Sequence, residues 1–371
     1  MFKVAIHSQW LLRGPDGNPL AQRLMALLVG IQRAGSLAAA CRAAGLSYRY
    51  AWGLLREAER AFGRALVTSQ RGQGAQLTAL GERIAWADQR IGARLAPLLD
   101  SLASEVEAEI EQALAPDPAV LRLQASHGFA VETLRRFLAA RQIPIDLRYR
   151  SCDEALTAFI DHQCDLIGLH LPIGALAEPA SAHYRPRIAP DWTAIHVANR
   201  RQGLIVAPGN PRRIAGIGDL VHRGLRFVNR QVGTGTRLVF DLLVRQAGID
   251  PHAIDGYENV EFTHAAVAAY VGSGMADVGF GLEVPARRFG LDFVPLVSER
   301  YFFVCRDAFL DAPALHAVDG ILRETPFRHE VALLPGYDPR EAGAREPALA
   351  TFGATRARRG VRTAAATTGR A

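Results

Sequence analysis

Lysine is all but missing from this chain. Lys3 is the only one, so the positive charge of the 371 residues, 43 Lys plus Arg against 37 Asp plus Glu, is carried by arginine. A net charge of +6 permits nucleic-acid binding without arguing for it, and the placement of the arginines has to decide. No apolar run approaches the roughly 18 residues of a membrane helix, and the N-terminal MFKVAIHSQWLLRGPDG lacks the hydrophobic core and cleavage site of an export signal. A cytoplasmic protein with no membrane partner is expected. The four cysteines, Cys41, Cys152, Cys164 and Cys305, are scattered without CxxC spacing, which argues against a disulfide frame or a zinc site and for reduced core residues. No Ser/His/Asp set, carboxylate pair or metal-spaced His/Cys cluster emerges, so neither an enzyme nor a bound cofactor is expected.

With 49% hydrophobic residues over 371 positions the chain can build several cores. The expected class is α/β overall: an α-helical head with a small wing, a long linker helix, then a two-lobed α/β domain. The corresponding boundaries are 1–77, 78–118, 119–337, and a tail at 338–371 rich in Ala, Arg, Thr and Gly, expected to be disordered.

In the head, Leu24, Leu27, Leu28 and Ile31 recur at helical spacing and predict a first helix over 20–34. Gly35 ends it, Ser36 caps a second helix over 37–44, and Gly45 turns the chain to Ser47, which caps a third. In the third, Ala51, Leu54, Leu55 and Ala58 form the inward stripe, which places Arg49 and Arg56 on the outer face. Ser47, Arg49, Tyr50 and Arg56 are therefore candidates for contact with double-stranded DNA. Tyr48 and Trp52 project to the flank of the inward stripe and read as packing residues, or the tyrosine hydroxyl reaches a phosphate. The stretch SQRGQGA reads as a hairpin tip, where Arg71 and Gln73 contact DNA or are simply solvated. From Thr78 onward, Leu80, Ile84, Ala87, Ile91, Leu95, Leu98, Leu102 and Val106 follow coiled-coil spacing, so the linker helix is expected to dimerise, with Pro97 kinking or restarting it. Pro116-Asp117-Pro118 reads as the boundary beyond.

Strands and helices then alternate, as in a parallel sheet covered on both faces, whose ligands sit at the carboxyl ends of the strands. Ser126, His127 and Gly128 fall at the first strand–helix junction, and His170 at the end of the third strand. The stretch NRQVGTGTR joins an apolar strand to a helix, so Asn229, Gly233, Thr234, Gly235, Thr236 and Arg237 form either an anion cradle at a helix N-terminus or a plain tight turn. It lacks the GK[ST] of a P-loop and the third glycine of a dinucleotide fold. Arg237 either meets the anion or pairs with an acid across the lobe. The chain is expected to cross between lobes twice, near 199–201 and near 281–283, leaving a cleft that the cradle faces.

GSLAAACRAAGLSYRYAW followed by LVTSQRGQGAQLTALGERI resembles the winged helix-turn-helix of the molybdate-responsive ModE family and, more broadly, of LysR-type regulators, over about residues 20–95. That resemblance implies a homodimer on a partly palindromic operator, with pairing into tetramers left open. The small oligomer-binding domains that follow in ModE itself are not recognisable. Residues 120–330, through NRQVGTGTR, GYE, THAAVAAYVGSGMADVGFGLEVPA and FVPLVSERY, resemble the type II periplasmic-binding-protein-like domain found fused to regulators and to molybdopterin-biosynthesis proteins. By that likeness Ser126, His127, Thr234, Gly235, Thr236 and Arg237 contact ligand, with Thr263 or His264 closing the second lobe; Thr263 alternatively only caps a helix. The two resemblances together imply a transcriptional regulator whose effector is molybdate, tungstate or a molybdenum-cofactor-related anion. The alternative is an oxyanion- or molybdopterin-binding or cofactor-maturation protein with no role in gene control.

Overall fold

A computed structural model describes residues 2–70, 74–114 and 120–353. Arg71 and Gln73 lie outside the described residues, as do Pro116-Asp117-Pro118 and the chain beyond Gly353.

The head forms as its sequence pattern requires. Helices α1 (Arg23–Ala34), α2 (Leu37–Ala44) and α3 (Tyr48–Phe62) precede an antiparallel hairpin of β1 (Val67–Gln70) and β2 (Gly74–Leu77). The Ser36 and Ser47 hydroxyls accept from the Ala39 and Tyr50 amides, and Gly35 and Gly45 end α1 and α2 in the left-handed conformation that favours glycine. Leu24, Leu28, Ala51, Leu55 and Ala58 meet in one apolar core.

Helix α4 (Ala79–Leu114) is a single element of 36 residues, about 54 Å long at 1.5 Å per residue. It runs through Pro97 as one helix, so of the two expected outcomes it does not restart there. Proline removes the N–H that would bond the carbonyl four residues back, here that of Ala93. The Thr263 hydroxyl donates to that orphaned carbonyl at 3.0 Å, so a tertiary contact supplies the missing partner. The coiled-coil seam is divided: Leu80 and Ile84 belong to the head core, while Leu98, Leu102 and Val106 are exposed at 56, 41 and 38%.

Beyond α4 come β3 (Leu121–Ala125), α5 (Phe129–Ala140), β4 (Ile145–Tyr149), α6 (Cys152–Ile160), β5 (Leu166–Pro172), α7 (Ala177–Tyr184), β6 (Trp192–Val206), β7 (Phe227–Arg230), α8 (Gly235–Gln246), β8 (Val260–Glu261), α9 (His264–Gly272), β9 (Val278–Leu282), α10 (Glu283–Arg288), β10 (Asp292–Arg306), α11 (Pro313–Arg323), α12 (Thr325–Ala332), β11 (Tyr337–Asp338), β12 (Arg345–Pro347) and α13 (Ala348–Thr351). The strands follow the order β4-β3-β5-β10-β6-β9-β7-β8. β3, β4 and β5 are parallel in the first lobe, and β7, β8 and β9 in the second.

Between the lobes run β6 and β10, antiparallel to each other, each 15 residues long. The sequence pattern divides each into two strands, because polar residues interrupt the apolar runs where the strands pass from lobe to lobe. The first crossing falls at Asn199–Arg201 as expected. The second does not lie at Gly281–Glu283, which is the end of β9 within the second lobe, but on β10, where Glu299 pairs with Arg200. Part of the expected disordered tail is folded as well: β11 and β12 pair with β6, and Phe352 is fully buried against Tyr184 and Phe302. Aromatic burial there outweighs the low-complexity composition that follows.

Helix α4 touches both lobes. On the first, it lies along the edge strand β4: Ser104 donates to the Ile145 carbonyl and accepts from the Leu147 amide, and Ser101 accepts from the Tyr149 amide. These hydroxyls occupy backbone groups that an exposed sheet edge would leave unpaired. On the second lobe, Trp86 stacks on Phe289 with ring centroids 6.0 Å apart and fills the space over Gly272, where a Cβ would fall 2.4 Å from the indole.

Candidate functional site

Four helix N-termini converge where the lobes meet. Gly128 caps α5, Ser151 caps α6 in a reciprocal capping box with Glu154, Thr234 caps α8, and Thr263 caps α9. Each contributes the positive end of a helix dipole. Between them lies a cavity of about 550 Å³ lined by Ser126, His127, Arg148, Tyr149, Arg150, Ser151, Glu154, Arg230, Gln231, Thr234, Phe262 and Thr263, with Arg94, Leu95, Pro97, Leu98, Ser101, Leu102 and Glu105 of α4 forming its remaining wall. The two carboxylates are already engaged, Glu154 by Ser151 and Glu105 by Arg148.

Arg230 is the side chain that sets the site's chemistry. It ends β7, is 3% exposed, and its Nε and Nη1 find no hydrogen-bond partner among the described residues. Burial pulls its pKa down to about 10, so it stays charged near neutrality. A guanidinium held out of water with unused donors is a costly arrangement that an anion would relieve. Sequence reasoning included Arg230 in the NRQVGTGTR motif but passed over it for the glycines and threonines; a charged residue closing an apolar strand was the available signal.

The other expected residues divide. Ser126, His127, Thr234 and Thr263 line the cavity. The His127 imidazole is engaged by Glu132 at 2.8 Å, Thr234 donates to the Gln231 carbonyl, and Thr263 both caps α9 and holds α4. Gly128 closes against the Arg200 side chain, where a Cβ would lie 3.3 Å from Nη1. Gly233, at φ 83°, accepts from the Asp153 amide and so ties the lobes together. Asn229, Thr236 and Arg237 are not brought to the cavity. Asn229 is committed to the Tyr257 carbonyl and the Arg230 amide, and the Thr236 hydroxyl accepts from Gln202. Arg237 donates to Asp241 on its own helix at 2.8 Å and stacks on Tyr257, so its acid partner is within the lobe.

His170, Gly235 and His264 are buried and do not line the cavity. A Cβ on Gly235 would fall 2.6 Å from His170 Nε2, so only glycine lets α8 approach β5 this closely. His170 Nδ1 is 2.6 Å from Glu299 Oε2, and Glu299 also accepts from Arg200 and Gln202. Burial alone would lower the His170 pKa, but Glu299 and Cys152 raise it to about 9. Burial would likewise raise that of Glu299, which Arg200 and His170 hold at about 2. The Cys152 thiol, 3.4 Å from Ser126 Oγ, is pushed up by burial yet falls below the usual thiol range through His170, Ser126 and the Gly235 amide. All four cysteines are free and buried, as their spacing suggested, and Cys152 is the one that contacts Ser126. Cys152, His170 and Glu299 stand in the order of nucleophile, base and orienting acid, but they are 0, 3 and 0% exposed and none lines the cavity.

A pH dependence follows from these shifts. The folded-state pKa of His170 is raised, so its stabilising contribution is complete below the unfolded value of 6.5 and is lost as pH climbs through about 9. His264 acts in the opposite sense. Burial, then the nearby Arg230 and Arg200, keep it neutral, so it costs stability as pH falls below 6.5. Urea-unfolding stability is expected to fall on the acid side of pH 6.5, while on the alkaline side the loss at His170 is opposed by Cys152, whose lowered thiol pKa gains stability there. His170→Gln should therefore change the alkaline limb and spare the acid one.

On the head, Ser47, Tyr48, Arg49, Tyr50 and Arg56 are all exposed. Tyr48 is 55% exposed with its ring edge-on to Trp52, so it lies on the open face of α3 and is not a core packing residue.

A family model described as the PBP superfamily domain matches residues 135–323. The uncharacterized protein YvgK of Bacillus subtilis (strain 168) is 29% identical over 245 residues, covering 65% of this chain and 78% of that protein. An uncharacterized protein from the ferredoxin 2Fe-2S gene 5′ region of Clostridium pasteurianum is 36% identical over 107 residues, 29% of this chain and 95% of that one. Among solved structures, full-length BenM aligns with a TM-score of 0.41 at 14% identity, covering 84% of this chain and 96% of that one. Full-length LysG of Corynebacterium glutamicum with its bound effector Arg aligns with a TM-score of 0.38 at 15% identity, covering 80 and 95%. The family match spans more than half of the sequence and coincides with the two lobes that enclose the cavity: the chain belongs to the PBP superfamily.

Proposed function

We propose that this protein is a LysR-like transcriptional regulator whose head binds double-stranded DNA as a homodimer and whose cleft senses a small anion. The observation that carries the reading is Arg230, a buried guanidinium with unused donors in a cavity faced by helix N-termini, in a chain whose head presents a basic helix. Molybdate and tungstate are the first effectors to try, and a molybdenum-cofactor-related anion follows, since the cavity exceeds what a bare tetrahedral oxyanion fills. The effector acts only if it binds the two arrangements of the protein with different affinity.

Two measurements test this. Thermal shift with millimolar molybdate, tungstate and phosphate-bearing ligands should raise the melting temperature for at least one. Gel shift against upstream DNA should show sequence-preferring binding at physiological salt, altered by that same anion. Arg56→Ala should weaken operator binding by about 1–3 kcal/mol, roughly 5- to 150-fold, if Arg56 reads a base. Loss of the same size on unrelated DNA would assign it to phosphate contact instead, and absence of any sequence preference in the wild type would refute the regulator.

A further inference from the structure

The linker helix is built into the wall of the cavity. Between its contacts with β4 of the first lobe, through Ser101 and Ser104, and with α9 of the second, through the Ala93 carbonyl, α4 passes over the opening and presents Arg94, Pro97 and Leu98 to the space that Arg230 faces. Arg94 Nε donates to Glu261 Oε2 at 2.8 Å. Glu261 is itself the register partner of Arg230 in the parallel pair of β8 and β7. Two guanidiniums, one on the linker and one on the second lobe, therefore flank a single carboxylate that is 2% exposed, while Arg94 keeps 48% of its side chain accessible.

We propose that Arg94 is a second anion contact, so that the effector is an oxyanion, free or as the phosphate of a larger molecule, held between Arg230 and the linker helix. This rests on the anion-sensing reading of the cleft and adds to it the route by which binding reaches the head. Glu261 and the effector then compete for Arg94. An anion seated on Arg230 draws Arg94 toward it and loosens the Arg94–Glu261 pair, and the helix that carries the pair is the helix that enters the head core through Leu80 and Ile84.

The test is a set of six full-length proteins titrated calorimetrically with tungstate as the free oxyanion and with phenyl phosphate as the esterified one. The proteins are the wild type, Arg94→Gln, Arg94→Lys, Glu261→Gln, the double variant Arg94→Gln/Glu261→Gln, and Arg230→Met. Arg94→Gln should weaken binding about tenfold, with Arg94→Lys recovering part of the loss. Glu261→Gln should tighten it, and that gain should vanish in the double variant. If Arg94 merely clamps α4 to the second lobe, Arg94→Gln and Glu261→Gln both break the clamp and shift affinity in the same direction, and that result, or no change in either, overturns the inference. Arg94→Gln at wild-type affinity alongside an Arg230 variant that no longer binds would remove the role of Arg94 and leave the anion cleft standing. Failure of the wild type to bind either probe would remove both. Which of tungstate and phenyl phosphate binds more tightly identifies the source of the oxyanion.

Discussion

Replacing Arg230 by methionine is expected to stabilise the unliganded protein and to abolish its response to anions. The two effects run in opposite directions, which makes the substitution diagnostic. Most replacements of a fully buried side chain lower stability, because the fold is complementary to the residue it lost. Arg230 differs in that Nε and Nη1 are desolvated with nothing among the described residues to accept from them, and an unsatisfied buried donor costs about 1–3 kcal/mol, more for a charged group. Methionine has similar reach, carries no donor and adapts to irregular space. Urea unfolding without ligand should therefore show a gain of about 1–2 kcal/mol. The charge-assisted bonds that an anion would make to the guanidinium are worth about 1.5–3 kcal/mol each, so two of them translate into an affinity loss of roughly 100-fold or more. At an anion concentration that stabilises the wild type by about 2.7 kcal/mol, near 100 times Kd, the variant should show almost none of that shift. A loss of stability without ligand, combined with a retained anion response, would instead make Arg230 a packing residue.

The sequence pattern was most informative where burial is periodic. The inward stripe of α3 and the caps at Ser36, Ser47 and Thr263 were legible because each depends on residues within a few positions of one another. The two long strands were not. Arg200, Gln202 and Glu299 interrupt the apolar runs of β6 and β10 and so resemble loop residues, yet they are the groups that pair with one another across the strands. A buried charge looks like a strand break until its partner, here 99 residues away, is known. Arg230 was obscured for a related reason: its significance lies in lacking a partner, which no local pattern records. Pro97 shows the converse case. Proline in a helix argues for a break, and what prevents one is the Thr263 hydroxyl contributed from a different lobe.

The second large effect is expected at Glu299. Glu299→Gln should cost about 3–5 kcal/mol in urea unfolding, because removing one member of a buried ionic cluster leaves the others charged and without compensation. Glu299 is fully buried at the point where β10 pairs with Arg200 of β6, and it accepts from His170, Arg200 and Gln202 together. Arg200 already has one nitrogen, Nη2, without a hydrogen-bond partner among the described residues, and its guanidinium lies over the face of the Tyr301 ring 4.6 Å away. Glutamine preserves the shape and one acceptor oxygen but removes the charge that both Arg200 and His170 require. His170 then keeps only Cys152 against the effect of burial, and the imidazole should titrate well below about 9, as an NMR pH titration of the ring would show. The double variant with Arg200→Met should cost less than the sum of the single changes, since the second substitution removes the stranded guanidinium. Full additivity, or a Glu299→Gln cost under about 1 kcal/mol, would mean that the lobe junction is held by strand pairing alone. The outcome bears on signalling as well as stability, because this cluster occupies the β6–β10 pair about which the lobes would have to move.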